Sequence, residues 1–99
     1  MSKPAALKRH HDRVADLGCL VCGGPAEVHH VTGYADRPGR FSRDEWLVTP
    51  LCPFHHRIDQ FVSAPTSVQG LGHQGFYQEY GIDLYAEAMR LAAQARLAA

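Results

Sequence analysis

Leu51-Cys52-Pro53-Phe54-His55-His56 is the stretch on which the reading of this chain turns. A cysteine and a histidine three apart, with proline between them, fit the opening turn of a helix. Proline is tolerated at the first helical position, and residues i and i+3 share a face. Earlier in the chain, Cys19-Leu20-Val21-Cys22 supplies a second pair at the same spacing, followed by Gly23-Gly24-Pro25 in what reads as a tight knuckle. Thiolate sulfur and imidazole nitrogen, offered in pairs a few residues apart, are the donor set of a tetrahedral structural zinc. The spacing therefore predicts one such Zn2+ site with Cys19, Cys22, Cys52 and His55 as ligands. The positive end of the helix dipole favours thiolate at Cys52. A redox pair at Cys19 and Cys22 is the competing reading, but it would be expected to open a helix in a thioredoxin-like fold, and the surrounding sequence offers none.

The bulk properties agree with a metal-stapled domain. A chain of 99 residues makes one small domain that buries only part of its apolar surface, where a bound ion helps most. Three cysteines is an odd count, which argues against a disulfide framework. No run approaches the roughly 18 apolar residues needed to span a membrane. The first thirteen residues or so are polar and basic, so no signal peptide is expected and a cytoplasmic location is the default. Ten basic and ten acidic residues give zero formal net charge, which does not by itself advertise nucleic-acid binding. Arg37, Arg40, Arg43 and Arg57 nevertheless gather around the histidine-rich middle.

Outward from the two ligand pairs, the pattern predicts an α+β domain. Leu7, Val14 and Leu17 recur at helical spacing over residues 4–17, and Gly18 stops that helix. Short strands are expected over residues 26–31 and 46–49, with a glycine- and proline-containing loop between them. A second helix begins near Pro53, with Cys52 at its N-cap and Phe54, Ile58, Phe61 and Val62 on its buried face. Residues 63–72 read as loop, Phe76, Tyr77 and Tyr80 as a helical turn or two ending at Gly81, and Asp83 as the cap of a last helix striped by Leu84, Ala88, Leu91 and Ala95. In domain terms this is one unit over 1–99: a core at 19–62, an N-terminal helix at 4–17 and a C-terminal helical extension at 73–98.

Three further histidines lie beside the ligand pairs. Consecutive residues on a helix point about 100° apart, so His56 faces a different site from His55. His29 and His30 are adjacent on the first strand, and strict alternation sends them to opposite faces unless the strand bulges or ends there. A second metal held by few protein ligands keeps positions open for water and substrate, and a neutral histidine beside it activates water at physiological pH. Asp59 follows His56 at i+3 and Gln60 follows it at i+4, so either is a candidate to reach the ion or a ligand's second nitrogen, while Asp59, at i+4 from His55, is equally a candidate to orient that structural ligand. His73 could approach the same site or simply be exposed. His10 and His11 sit in the first helix among arginines.

Taken together, Cys19-Leu20-Val21-Cys22, Val28-His29-His30-Val31 and Leu51-Cys52-Pro53-Phe54-His55-His56 resemble the zinc-bearing HNH endonucleases, with Leu71-Gly72, Phe76 and Tyr80-Gly81-Ile82-Asp83 similar to the tails of small phage and prophage members. The resemblance spans roughly residues 19–83. It implies a ββα-metal, treble-clef-like core, and a metal-dependent endonuclease hydrolysing phosphodiester bonds in DNA. It implies His30 as general base, with His29 and His56 as ligands of a catalytic divalent ion, Mg2+, Mn2+, Ni2+ or Zn2+; Asp59 stays a candidate third ligand from its helical spacing alone. Arg37, Arg40, Arg43 and Arg57 would contact phosphates, in a bacterial or phage-encoded cytoplasmic protein that is a monomer or homodimer. The family's middle asparagine has no counterpart, because the chain contains no asparagine; Thr49, Asp44 or a backbone carbonyl would have to orient the base. That departure keeps a second expectation in play: a non-catalytic zinc-finger module that binds nucleic acid or a protein partner.

Overall fold

The structure is a computed structural model that describes residues 5–31, 45–58 and 66–98. Its elements run α1 (Ala5–Asp16), β1 (Glu27–His30), β2 (Val48–Leu51), α2 (Pro53–His56), α3 (Val68–Tyr80) and α4 (Leu84–Ala98). The strands pair antiparallel in one two-stranded sheet, with Glu27 opposite Leu51, Val28 opposite Pro50, His29 opposite Thr49 and His30 opposite Val48. This is a small α+β fold.

Alternation along the two strands divides the core. Val31, Leu47 and Leu51 face one way and pack with Val68 and Phe76 of α3 and with Leu84, Ala88 and Ala92 of α4. Val28 and Val48 face the other way, against Val14 of α1 and Leu91 of α4. Each face of so short a sheet is thus covered by helix, as a half-buried pleat requires. Two buried histidines fasten α1 to the start of β2. His10 Nε2 donates to the Trp46 carbonyl at 3.0 Å and His11 Nε2 to the Glu45 carbonyl at 2.7 Å. A carbonyl only accepts, so both rings carry their proton on Nε2. The His10 ring also stacks on Trp46.

The helix ends follow local chemistry. Ser67 caps α3 by accepting from the Gly70 N–H at 3.1 Å. Gly81 closes it with φ +72, a left-handed conformation that glycine adopts without steric cost. Asp83 Oδ1 accepts from the Ala86 N–H at 3.1 Å, capping α4 as its position predicts.

Three expectations are corrected. The second helix was expected to run on from Pro53 with a buried apolar face. Instead α2 ends at His56, and Phe54 and Ile58 are 48% and 40% exposed. Arg57 leaves the helical region at φ −148, so the turn owes its form to the residues flanking Cys52 and His55 and not to an apolar stripe. Phe61 and Val62 lie outside the described residues. Residues 63–72 were expected to be loop, yet α3 begins at Val68; Gly70, Gly72 and Gly75 lower its helix propensity and hide it from a pattern search. The second strand also lies later than expected, at Val48–Leu51.

Candidate metal centre

The two ligand pairs meet. The Sγ atoms of Cys19, Cys22 and Cys52 and a ring nitrogen of His55 all lie within 4.8 Å of one another. Cys22 Sγ stands 3.7 Å from Cys52 Sγ, Cys19 Sγ 3.6 Å from His55 Nδ1, and Cys52 Sγ 3.1 Å from His55 Nδ1. A tetrahedral ion with sulfur ligands at about 2.3 Å separates them by roughly 3.8 Å, so two of these three spacings match such an ion. The four residues could hold a structural metal such as zinc.

Backbone geometry makes the site. Cys19 N–H donates to the Gly24 carbonyl at 2.9 Å and Gly23 N–H to the Cys19 carbonyl at 2.8 Å, closing the knuckle. Gly18, at φ +86, lies so near Gly23 that an added Cβ would come within 3.0 Å of its carbonyl oxygen. Leu20 N–H donates to the Pro50 carbonyl and ties the knuckle to β2. On the other side, the N–H groups of both His55 and His56 donate to the Cys52 carbonyl, fixing the turn. Burial alone would raise the Cys19 thiol, but hydrogen bonds involving the Cys52, Cys22 and Val21 backbones and the Cys22 side chain outweigh it and bring its pKa down. Burial pushes the Cys52 thiol up.

A second cluster, of histidines, lies beside the first. His29, 8% exposed, brings its ring to 4.9 Å from that of His56 and places Nε2 3.0 Å from Nε2 of His73 on α3. His56 Nδ1 donates to Glu27 Oε2 at 2.8 Å, and Arg57 Nε binds the same oxygen at 2.8 Å. The Arg57 hydrogen bond, with help from His56, holds the Glu27 carboxyl below the usual carboxylate range. Burial is the main cause that drives the His29 pKa down to about 3, reinforced by charge on His56, His73 and His30; burial lowers His73 too. Both imidazoles are therefore neutral at pH 7, the protonation state in which a nitrogen can bind a metal.

His55 and His56 part company as the helix geometry predicts. The structure brings His29 and His56 together, but it does not bring His30 to them. β1 stays regular through His30, which turns to the opposite face with its ring edge against His11, 5.4 Å between centroids. Thr49, a candidate for orienting His30, lies across from His29 and on its face; it is 0% exposed, and its hydroxyl has no hydrogen-bond partner among the described residues. Arg57 is exposed and bound to Glu27. Arg37, Arg40, Arg43, Asp44 and Asp59 lie outside the described residues. Sequence reasoning missed Glu27 altogether, although it stands two residues before His29 and so on the same strand face. It left His73 undecided, because only the packing of α3 brings that side chain in.

No family model matches the chain, and neither the curated proteins nor the solved structures yield a match. Among the described residues no helix is long and apolar enough to cross a membrane.

Proposed function

We propose that this chain is a metal-dependent endonuclease of the HNH type, a ββα-metal domain with structural zinc at Cys19, Cys22, Cys52 and His55, that hydrolyses phosphodiester bonds in DNA. The observation that carries the reading is the meeting of His29 with His56 beside the four-ligand cluster, from the strand and the helical turn that the resemblance assigns to a catalytic ion. A divalent ion held there supplies charge stabilisation for the phosphate and its leaving oxygen. Glu27, through Nδ1 of His56, fixes that ring with Nε2 as its coordinating atom. Arg57, at the rim, offers a guanidinium to a phosphate in exchange for Glu27. His30 is the base in this reading. It closes β1 and is exposed, so the substrate must lie across the strand end to present its phosphate to both His30 and the ion side.

Purified protein is expected to nick supercoiled plasmid in the presence of Mg2+, Mn2+, Ni2+ or Zn2+. Alanine at His29 or His30 should remove that activity without removing the tightly bound zinc. Equal inertness of wild type and both variants with every metal would sink the catalytic reading.

The second reading, a zinc module that binds nucleic acid or a protein without cleaving, is favoured by one observation, the separation of His30 from His29 and His56 across the strand. Salt-dependent DNA binding with no cleavage would select it.

A further inference from the structure

We infer that His29, His56 and His73 together form a second, nitrogen-only site for a divalent transition metal, with His73 of α3 as the third ligand. The inference rests on the reading that places a second ion at His29 and His56, and adds a residue from a later element. Three observations support it. His29 and His73 already meet Nε2 to Nε2 at 3.0 Å, close to the spacing of roughly 3.3 Å that two imidazoles on one ion at about 2.05 Å adopt. His56 has its Nδ1 taken by Glu27, the outer-shell pairing that metal-bound histidines use to fix their orientation. Thr49 places a fully buried hydroxyl without a described partner on the same strand face, opposite His29, where a water bound to an ion can satisfy it.

The backbone around His73 suits the role. Gly72 has φ +76 and ψ 167, a combination essentially restricted to glycine, and it breaks α3 just before His73. The kink sets the direction from which the imidazole approaches β1. Of the described residues, only the cysteine–histidine set has every ligand atom within 4.8 Å of the others, so the three histidines close on the ion by side-chain rotation. The second site is consequently the weaker of the two. Three neutral nitrogens select Zn2+, Co2+ or Ni2+ over Mg2+ and leave at least one position open.

The test is a Co2+ titration of the full chain, prepared metal-free under reducing conditions. The first equivalent is expected to give the intense near-ultraviolet band of sulfur-to-cobalt charge transfer. The second is expected to add only weak visible bands, with paramagnetically shifted ring signals from three histidines besides His55. His73→Ala should keep the first equivalent and its thermal melting while weakening the second at least about tenfold; His73→Gln, which preserves bulk, serves if the alanine variant unfolds. Wild-type affinity for the second ion in either folded variant, or only two shifted histidines in the wild type, overturns the inference. Plasmid nicking separates it from the functional reading. Two ions bound with no cleavage leaves the site standing and the nuclease reading failed. Cleavage lost in His29→Ala but untouched in His73→Ala does the reverse.

Discussion

At the scale of single residues, Glu27 and Thr49 are the informative positions. Glu27 receives both His56 and Arg57 on one carboxylate oxygen. Glu27→Gln keeps the shape but drops the charge, and outer-shell changes of this kind cost about 10- to 100-fold in metal affinity. The expected result is weaker binding of the second Co2+ by that factor, with the sulfur-ligated ion unaffected, measured by competition with a chelator. Thr49→Val removes a buried hydroxyl that has no partner among the described residues, a situation that costs about 1–3 kcal/mol. The metal-free variant should unfold at higher denaturant concentration than wild type, whereas the doubly loaded one should show no gain. The cysteine–histidine cluster that could hold a metal was legible in the sequence because paired spacing is a local signature. The resemblance gives His29 and His30 different roles at one site, whereas plain strand alternation puts them on opposite faces, as found.

At the scale of elements, α2 and α3 show where sequence patterns lose their hold. Phe54 and Ile58 have the spacing of an apolar helix face, but a helix needs several residues after them to use it, and α2 turns out at Arg57. α3 carries the opposite lesson, since its glycines disguise a helix that tertiary packing of Val68 and Phe76 holds in place. Gly72→Ala forces a side chain into backbone space that glycine alone occupies easily, at a cost of about 1–3 kcal/mol. We expect a lower thermal midpoint and a weakened second metal site together. Gly81→Ala, at another left-handed position, should lower stability by about 1 kcal/mol and leave metal binding alone. A difference between the two variants in Co2+ uptake checks the idea that the kink at Gly72 aims His73.

At the scale of the whole molecule, buried imidazoles make stability depend on pH. Burial lowers the pKa of His10, despite its bond to the Trp46 carbonyl, and lowers His29 and His73 as well. The unfolded chain takes up these protons near the ordinary imidazole value of about 6.5, while the fold refuses them until lower pH. Stability is therefore complete above that value and falls as pH drops through it, continuing toward about 3, where His29 itself protonates. Thermal midpoints of the metal-free protein should decline between pH 7 and pH 5. His10→Gln should flatten that decline, and an unchanged slope would count against His10 as a contributor.

The halves of the cysteine–histidine centre stand 30 residues apart, from Cys22 to Cys52. An ion bound there would act as a crosslink between the knuckle and the helical turn, two segments that the hairpin brings together. Joining ends over such a separation is entropically costly but rises slowly with length, by about 0.6 kcal/mol per doubling. The order of events during refolding becomes a measurable quantity. If hairpin formation precedes capture, the observed rate will rise with zinc concentration and then level off at the rate of strand pairing. A rate that climbs without limit would mean that one cysteine pair seizes the ion first and reels in the other.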